Sequence, residues 1–142
     1  MPSRTGEAVW EGDLKSGQGT MKVASGAFEG RYSAGTRFGD QPGSNPEELI
    51  GAAHAGCFSM AFAHGLAQAG FTPKRVHTTA KVTIDRVGEG FAITRIRLAT
   101  EAVVPGIDQA VFQAQADAAK QGCPVSKALA GTTIELEAKL VR

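Results

Sequence analysis

The feature that most constrains the fold of this chain is an uncharged run at residues 49–73, in a sequence of which 20% of the residues are charged. Four residues typical of a helix start come just before or at its edge: Asn45, Pro46, Glu47 and Glu48. Gly70 is a typical helix-ending residue. Residues 45–71 therefore predict one long, largely apolar helix, around which the other elements are arranged.

The same run is long enough to cross a lipid bilayer, so a membrane span has to be weighed. It contains few large aliphatic residues, and it carries polar side chains that are costly at bilayer depth: His54, Ser59, His64 and Gln68. We therefore interpret it as the central helix of a soluble protein. Its many Ala and Gly residues allow a second backbone to approach closely, which favours a helix crossing, including one with a second copy of the chain.

Length and charge exclude several classes of protein. A chain of 142 residues is expected to form a single domain, residues 1–142. The net charge of +1 does not favour binding to nucleic acid or to an anionic membrane. The first residues contain no apolar signal-peptide core, so we expect a cytoplasmic protein. Two cysteines do not make a disulfide scaffold, and they indicate metal binding, redox chemistry or simple packing.

The remaining pattern predicts the order βββ-α-ββ-α-β. Strands are predicted at residues 7–15, 20–24, 28–38, 75–85, 91–104 and 132–141. A second helix is predicted from the cap Asp108 to about Gln121, with a short helical turn from Pro124. The alternation of apolar and polar residues is clearest in residues 75–85. Strands with one apolar face need helices to cover that face, so the fold class is α+β.

Cys57 and Cys123 are the candidate reactive residues. A cysteine in an apolar helix is more often a packing residue than a nucleophile. Cys123, however, follows a helix-ending Gly and precedes Pro, in a position suited to a second thiol. The two thiols, 66 positions apart, form a candidate attacking and resolving pair.

A reactive cysteine needs a nearby cation, because an apolar environment raises the pKa of a thiol. Arg37 is a candidate, and Glu47 or Glu48 could hold its guanidinium. On the residues alone, an ordinary surface arginine and simple helix-start glutamates are the favoured interpretations. Glu47 and Cys57 are also separated by about 15 Å along a straight helix. A helix bend, a bridging Arg37 or a second subunit would therefore be needed to connect them.

Two other chemistries remain open at this point. His54, Cys57 and Cys123 could form part of a zinc site, which would make the chain a small zinc protein. A Cys–His pair for acyl transfer is also conceivable. Both signals are weak, because no CxxC or HxxxH spacing and no nucleophile elbow is present. The helical histidines are better interpreted as packing or interface residues.

Three long segments resemble the OsmC/Ohr family of bacterial thiol peroxidases, and more closely its OsmC branch: NPEELIGAAHAGCFSMA from residue 45, VPGID from residue 104 and GCPVSKAL from residue 122. The resemblance covers nearly the whole chain. It implies an OsmC-like α+β fold and an intertwined homodimer with active sites at the subunit interface. It further implies reduction of organic hydroperoxides, and less efficiently of hydrogen peroxide, without metal or flavin.

The resemblance also assigns residues. It implies that Cys57 is the peroxidatic cysteine, Cys123 the resolving cysteine, Arg37 the activating arginine and Glu47 its anchor. An external dithiol would reduce the resulting disulfide. Phe58 and Met60 are a guess for the apolar lining near Cys57. The alternative from another class is a non-catalytic homodimer that binds an apolar ligand and in which the cysteines are incidental.

Overall fold

Six strands and four helices form the chain in the computed structural model, which describes residues 1–142. In order they are β1 (Gly6–Glu11), β2 (Gln18–Val23), β3 (Glu29–Tyr32), α1 (Ala34–Phe38), α2 (Pro46–Gln68), β4 (Arg75–Val87), β5 (Gly90–Val103), α3 (Gln109–Gly122), α4 (Pro124–Ala128) and β6 (Thr133–Val141). The predicted α+β class is confirmed, and so is the long central helix. The predicted order is present, α4 is the short helical turn predicted from Pro124, and α1 is an additional short helix.

The chain divides into two compact units, Met1–Leu49 and Ile50–Arg142, here called the N-terminal and the C-terminal unit. The N-terminal unit contains an antiparallel sheet in the order β1-β2-β3. Trp10 on β1 and Tyr32 on β3 lie against each other with ring centroids 5.3 Å apart, across Gly19 of the middle strand. A side chain on Gly19 would collide with both rings, so the absence of a Cβ there lets the aromatic pair form.

The third strand is shorter than the sequence predicts. Residues 28–38 were expected to form one strand, but Ser33 ends the strand and starts α1. Its side chain accepts a hydrogen bond from the backbone of Thr36, and the Thr36 hydroxyl accepts one from the backbone of Ser33. This capping box stabilises a helix start, which outweighs the extended preference of the neighbouring residues.

The C-terminal unit contains the sheet β4-β5-β6. β4 and β5 form an antiparallel hairpin, whereas β5 and β6 are parallel, with Ile96 opposite Ile134 and Leu98 opposite Leu136. Parallel neighbours require a crossover connection, and α3 and α4 provide it. The crossover therefore returns the chain through Cys123 before it enters the last strand.

The hydrophobic core lies in the C-terminal unit. α2 contributes Phe58, Phe62 and Leu66, which recur at the four-residue spacing of one helix face. They pack with buried residues of β5, the following loop and α3: Ile96, Leu98, Ala102, Val104, Ile107, Phe112, Ala116 and Ala119. By length and composition α2 also passes as a membrane-spanning helix, but core helices pass the same test, and this one supplies part of a core.

Candidate active site

Arg37 and Glu47 form an ion pair within the N-terminal unit. The Nε–H group of Arg37 donates to both carboxylate oxygens of Glu47, at 2.8 and 3.2 Å. The Glu47 side chain is only 9% exposed, while that of Arg37 is 33% exposed. Because the pair uses Nε, the two Nη groups of the guanidinium make no hydrogen bond within the chain. They are available to an anionic group that comes from outside this pair.

Asn45 aligns the two helices that carry this pair. Its side-chain amide donates to the carbonyl of Thr36 at 3.2 Å, and its side-chain oxygen accepts from the backbone N–H of Glu48 at 2.8 Å. The first contact holds the end of α1, and the second is the predicted cap of α2. One side chain thus fixes the position of Arg37 relative to Glu47.

A cavity of about 280 Å³ lies beside Arg37 within the N-terminal unit. Its walls are formed mostly by apolar and aromatic residues: Trp10, Leu14, Tyr32, Ser33, Ala34, Arg37 and Phe38. The guanidinium carbon of Arg37 lies 5.4 Å from the centre of the Phe38 ring. The cavity can accept a small apolar group next to a fixed positive charge.

Cys57 and Cys123 lie in contact within the C-terminal unit. Both are free thiols, and their Sγ atoms are 2.8 Å apart, closer than ordinary van der Waals contact but longer than the roughly 2.05 Å of a disulfide bond. Cys57 is partly exposed, whereas Cys123 is fully buried between α3 and α4. A disulfide between them needs only a small movement. The two-thiol hypothesis requires the two sulfurs to lie close together, and in the structure they are adjacent.

The two thiols differ in their electrostatic surroundings. Burial raises the pKa of the Cys57 thiol, and its hydrogen bond with Cys123 raises this pKa further. Burial also acts to raise the pKa of Cys123, but its hydrogen bonding with Cys57 and Ser126 lowers this pKa. The surroundings of Cys57 within the C-terminal unit therefore do not by themselves favour its thiolate.

Two further polar residues lie beside the sulfurs, and the sequence analysis did not assign them this position. His54 is fully buried, and its Nε2 atom is 2.7 Å from the Ser126 hydroxyl oxygen. The backbone N–H of Ser126 donates to the Cys123 sulfur at 3.5 Å. His54 precedes Cys57 by three residues and Ser126 follows Cys123 by three, so each shares a helix face with a cysteine. This spacing of three residues is the sequence signal that could have predicted their position beside the cysteines.

The structure also tests the weaker sequence hypotheses. No group of three or more His, Cys, Asp or Glu side chains is arranged to hold a metal ion, and His54 is paired with Ser126 instead of joining the cysteines as a ligand. Phe58 was a wrong choice for the lining near Cys57, because it is fully buried and packs against Phe62 with ring centroids 5.6 Å apart. Met60 lies on the surface, with 76% of its area exposed.

An α+β chain with a long central helix, two facing thiols and a fixed Arg–Glu pair has the features of a thiol-dependent redox protein. Residues 39–137 match the family model described as OsmC-like protein. The chain is 51% identical over 138 residues to peroxiredoxin OsmC of Escherichia coli, with 96% of each chain covered. It belongs to the OsmC family, as the sequence analysis predicted.

Two further comparisons extend this result. The chain is 38% identical over 91 residues to an organic hydroperoxide resistance protein of Xanthomonas axonopodis, with 63% of this chain and 61% of the relative covered. An OsmC-like protein of unknown function from Vibrio cholerae has a solved structure that matches with a TM-score of 0.77 at 17% identity, covering 97% of this chain and 99% of the other. At that identity the match supports the fold alone.

Proposed function

We propose that this protein is a thiol peroxidase that reduces organic hydroperoxides, and less efficiently hydrogen peroxide, through Cys57 and Cys123. The family membership and the names of the curated relatives support this enzyme class and an antioxidant role in stress response. The observation that carries the proposal is the 2.8 Å separation of two free thiols that are 66 positions apart in sequence.

The proposed reaction balances with the protein's own thiols. The Cys57 thiolate attacks the distal oxygen of ROOH, the O–O bond breaks, and the alcohol ROH leaves with one proton while Cys57 becomes a sulfenic acid. The Cys123 sulfur then attacks the Cys57 sulfur, an S–S bond forms, and the sulfenic oxygen leaves as water. In sum, one peroxide and two thiols give one alcohol, one water and one disulfide. An external dithiol then reduces the disulfide by exchange and becomes oxidised itself.

Arg37 is the proposed source of the positive charge that Cys57 lacks in its own unit. Its available Nη groups suit both a thiolate and the developing charge on a peroxide oxygen, and preoriented donors of this kind are effective because they need no reorganisation. Glu47 is the proposed anchor, since its buried carboxylate fixes the guanidinium through Nε. Glu48 does not compete for this role, because its side chain is not part of the ion pair.

The cavity beside Arg37 supports an organic substrate. Its volume of about 280 Å³ and its aromatic walls suit the hydrocarbon part of a small hydroperoxide, while hydrogen peroxide would leave them unoccupied. The same cavity is the observation that favours the second candidate function, a protein that binds an apolar ligand without turnover. The experiment below separates the two.

The proposed assembly is a homodimer in the cytoplasm. One face of α2 exposes Ala53, Gly56 and Met60, which recur at helical spacing, and small residues on such a face allow a second helix to approach closely. A single domain over residues 1–142 stays part of the proposal. Gel filtration with light scattering measures the mass directly, and a monomer at micromolar concentration would contradict the dimer.

A thiol titration tests the proposed function. One equivalent of cumene hydroperoxide should remove two free thiols per chain and release cumyl alcohol, and a dithiol should restore both thiols. Cys57→Ser should abolish peroxide consumption, while Cys123→Ser should permit one oxidation and then stop at a sulfenic acid that dimedone traps. An unchanged thiol count in the wild-type protein would support the ligand-binding candidate. Full activity in Cys57→Ser would exclude Cys57 as the reacting thiol.

A further inference from the structure

His54 and Ser126 lie behind the second cysteine in a buried chain of polar atoms. His54 is 0% exposed, Ser126 is 5% exposed, and Cys123 is 0% exposed. The His54 Nε2 atom is 2.7 Å from Ser126 Oγ, and the backbone N–H of Ser126 reaches the Cys123 sulfur at 3.5 Å. Buried polar side chains are costly unless they are paired, so two in succession next to a reactive sulfur need an explanation.

The ring nitrogen of His54 that carries the proton determines which groups donate hydrogen bonds between His54, Ser126 and Cys123. The other ring nitrogen, Nδ1, is buried and has no hydrogen-bond partner. A buried N–H without an acceptor is less tolerable than a buried acceptor without a donor, so the proton belongs on Nε2. Nε2–H then donates to the Ser126 oxygen, which leaves the Ser126 hydroxyl hydrogen free for another acceptor, a role that the neighbouring Cys123 sulfur can take.

We propose that His54 and Ser126 are positioning residues for Cys123, which hold its sulfur in the thiolate form that attacks the Cys57 sulfenic acid. This proposal rests on the two-cysteine reaction proposed above. The donors converge on the sulfur of Cys123 and stabilise negative charge there, both when it attacks and when it leaves during reduction. Because a low-pKa thiol is the better leaving group and Cys123 is buried, the external dithiol attacks the partly exposed Cys57.

The electrostatics of the sulfur agree with this direction. Burial acts to raise the pKa of Cys123, yet its hydrogen bonding with Cys57 and Ser126 lowers this pKa. Burial lowers the pKa of His54, so the ring is neutral at pH 7 and acts as a donor without carrying charge. All the variants compared below share the other titratable groups on α2, α3 and α4, which are Glu47, Glu48, His64, Asp117, Lys120 and Lys127.

The first experiment measures the Cys123 thiolate directly. In a Cys57→Ser background, absorbance at 240 nm is followed against pH, and a variant lacking both cysteines corrects for the single tyrosine. Ser126→Ala should raise the Cys123 midpoint by about one pH unit, which is about tenfold less thiolate at a given pH below it. His54→Leu should raise it as well, whereas His54→Gln should retain most of the effect because its amide can donate to Ser126.

A matched control removes a hydroxyl elsewhere in the same unit. Ser59 on α2 donates to Thr78 at 2.8 Å and takes no part in the chain to Cys123. Ser59→Ala should leave the midpoint unchanged. If Ser126→Ala shifts the midpoint no more than Ser59→Ala does, the proposal is wrong. This result does not depend on peroxidase activity, so it separates failure of the positioning proposal from failure of the proposed function.

The second experiment distinguishes a change in the thiolate fraction of Cys123 from a displacement of its side chain. With both cysteines present, Ser126→Ala should form the disulfide about threefold more slowly at pH values below both midpoints, because the loss of thiolate outweighs the gain in nucleophilicity. At pH values above both midpoints the variant should be as fast as the wild type or faster. A rate reduced by the same factor at every pH would indicate misplacement of Cys123 and would overturn the proposal.

Discussion

The two units of the chain bury ionisable side chains in opposite ways. The N-terminal unit buries Glu47 in an ion pair with a cation, Arg37. The C-terminal unit buries His54 and Cys123 among neutral partners, with hydrogen bonds in place of an ion pair. The cation of the candidate site thus belongs to the N-terminal unit, and its two thiols belong to the C-terminal unit. The proposed reaction needs both, which is why Arg37 is its most important residue outside the sulfur pair.

The units also differ in what stabilises them. All eleven residues of the hydrophobic core belong to the C-terminal unit. The N-terminal unit buries no hydrophobic side chain, and Val9 and Leu14 are 57% and 64% exposed. A three-stranded sheet without a covered apolar face is marginal in isolation. The N-terminal unit therefore contributes much less apolar burial to the stability of the chain than the C-terminal unit does.

The largest expected effect is on stability, and it contrasts the two units. Phe62→Ala should lower the free energy of unfolding by about 3–5 kcal/mol, because Phe62 is fully buried between Phe58 and Phe112. Val9→Ala should change it by about 0.5 kcal/mol or less, because more than half of the side chain is exposed. Urea unfolding measures both. A loss of more than about 1.5 kcal/mol in the free energy of unfolding for Val9→Ala would show that the surface around Val9 is covered in solution. The two units would then differ less in apolar burial than they do in the single chain.

The next effect tests the proposal that Arg37 of the N-terminal unit activates Cys57 of the C-terminal unit. Arg37→Ala should lower kcat/KM for cumene hydroperoxide by about a hundredfold, the usual cost of removing one preoriented donor. It should also slow the alkylation of Cys57 by iodoacetamide at pH 7, because less thiolate is present. Glu47→Gln should have a smaller effect of the same direction, since the guanidinium stays but is held less firmly.

The matched control for Arg37 is Lys22, whose exposed ion pair with Glu7 lies in the same unit. Lys22→Ala removes a cation without touching the Arg37–Glu47 pair, so both the peroxidase rate and the alkylation rate should stay unchanged. An alkylation rate in Arg37→Ala equal to that of the wild type would remove Arg37 from the activation of Cys57. The charge would then have to come from elsewhere.

Local patterns were sufficient to predict most of the fold. The uncharged run and its capping residues indicated α2, and alternation indicated β4, because both signals depend on neighbours in sequence. α1 was missed because residues 28–38 resemble a strand in composition, although Ser33 and Thr36 carried the capping signal. The parallel pairing of β5 with β6 was not predictable in this way, because two strands that are distant in sequence produce no periodic pattern that identifies them as partners.

The sequence supplied candidate residues for the site but not its geometry. The resemblance named Arg37, Glu47, Cys57 and Cys123, yet the contact of the two sulfurs depends on the crossover that follows β5. His54 was interpreted as a packing or interface residue, because a histidine in an apolar helix shows no partner in sequence. Its partner Ser126 lies 72 positions away, and only the fold brings the two together.

The smallest expected effect tests the neutral burial of His54. Its pKa is lowered from 6.5 by burial, so below pH 6.5 the unfolded chain binds a proton that the folded chain does not. Stability should therefore fall as the pH drops below this value. Between pH 7.5 and 5.5 the wild type should lose more stability than His54→Gln does, measured by urea unfolding at both values. The exposed His64 and His77 are present in both proteins, so their contributions cancel. An equal pH dependence in the two proteins would mean that His54 takes up its proton while folded, and the C-terminal unit would then tolerate a buried positive charge beside its sulfurs after all.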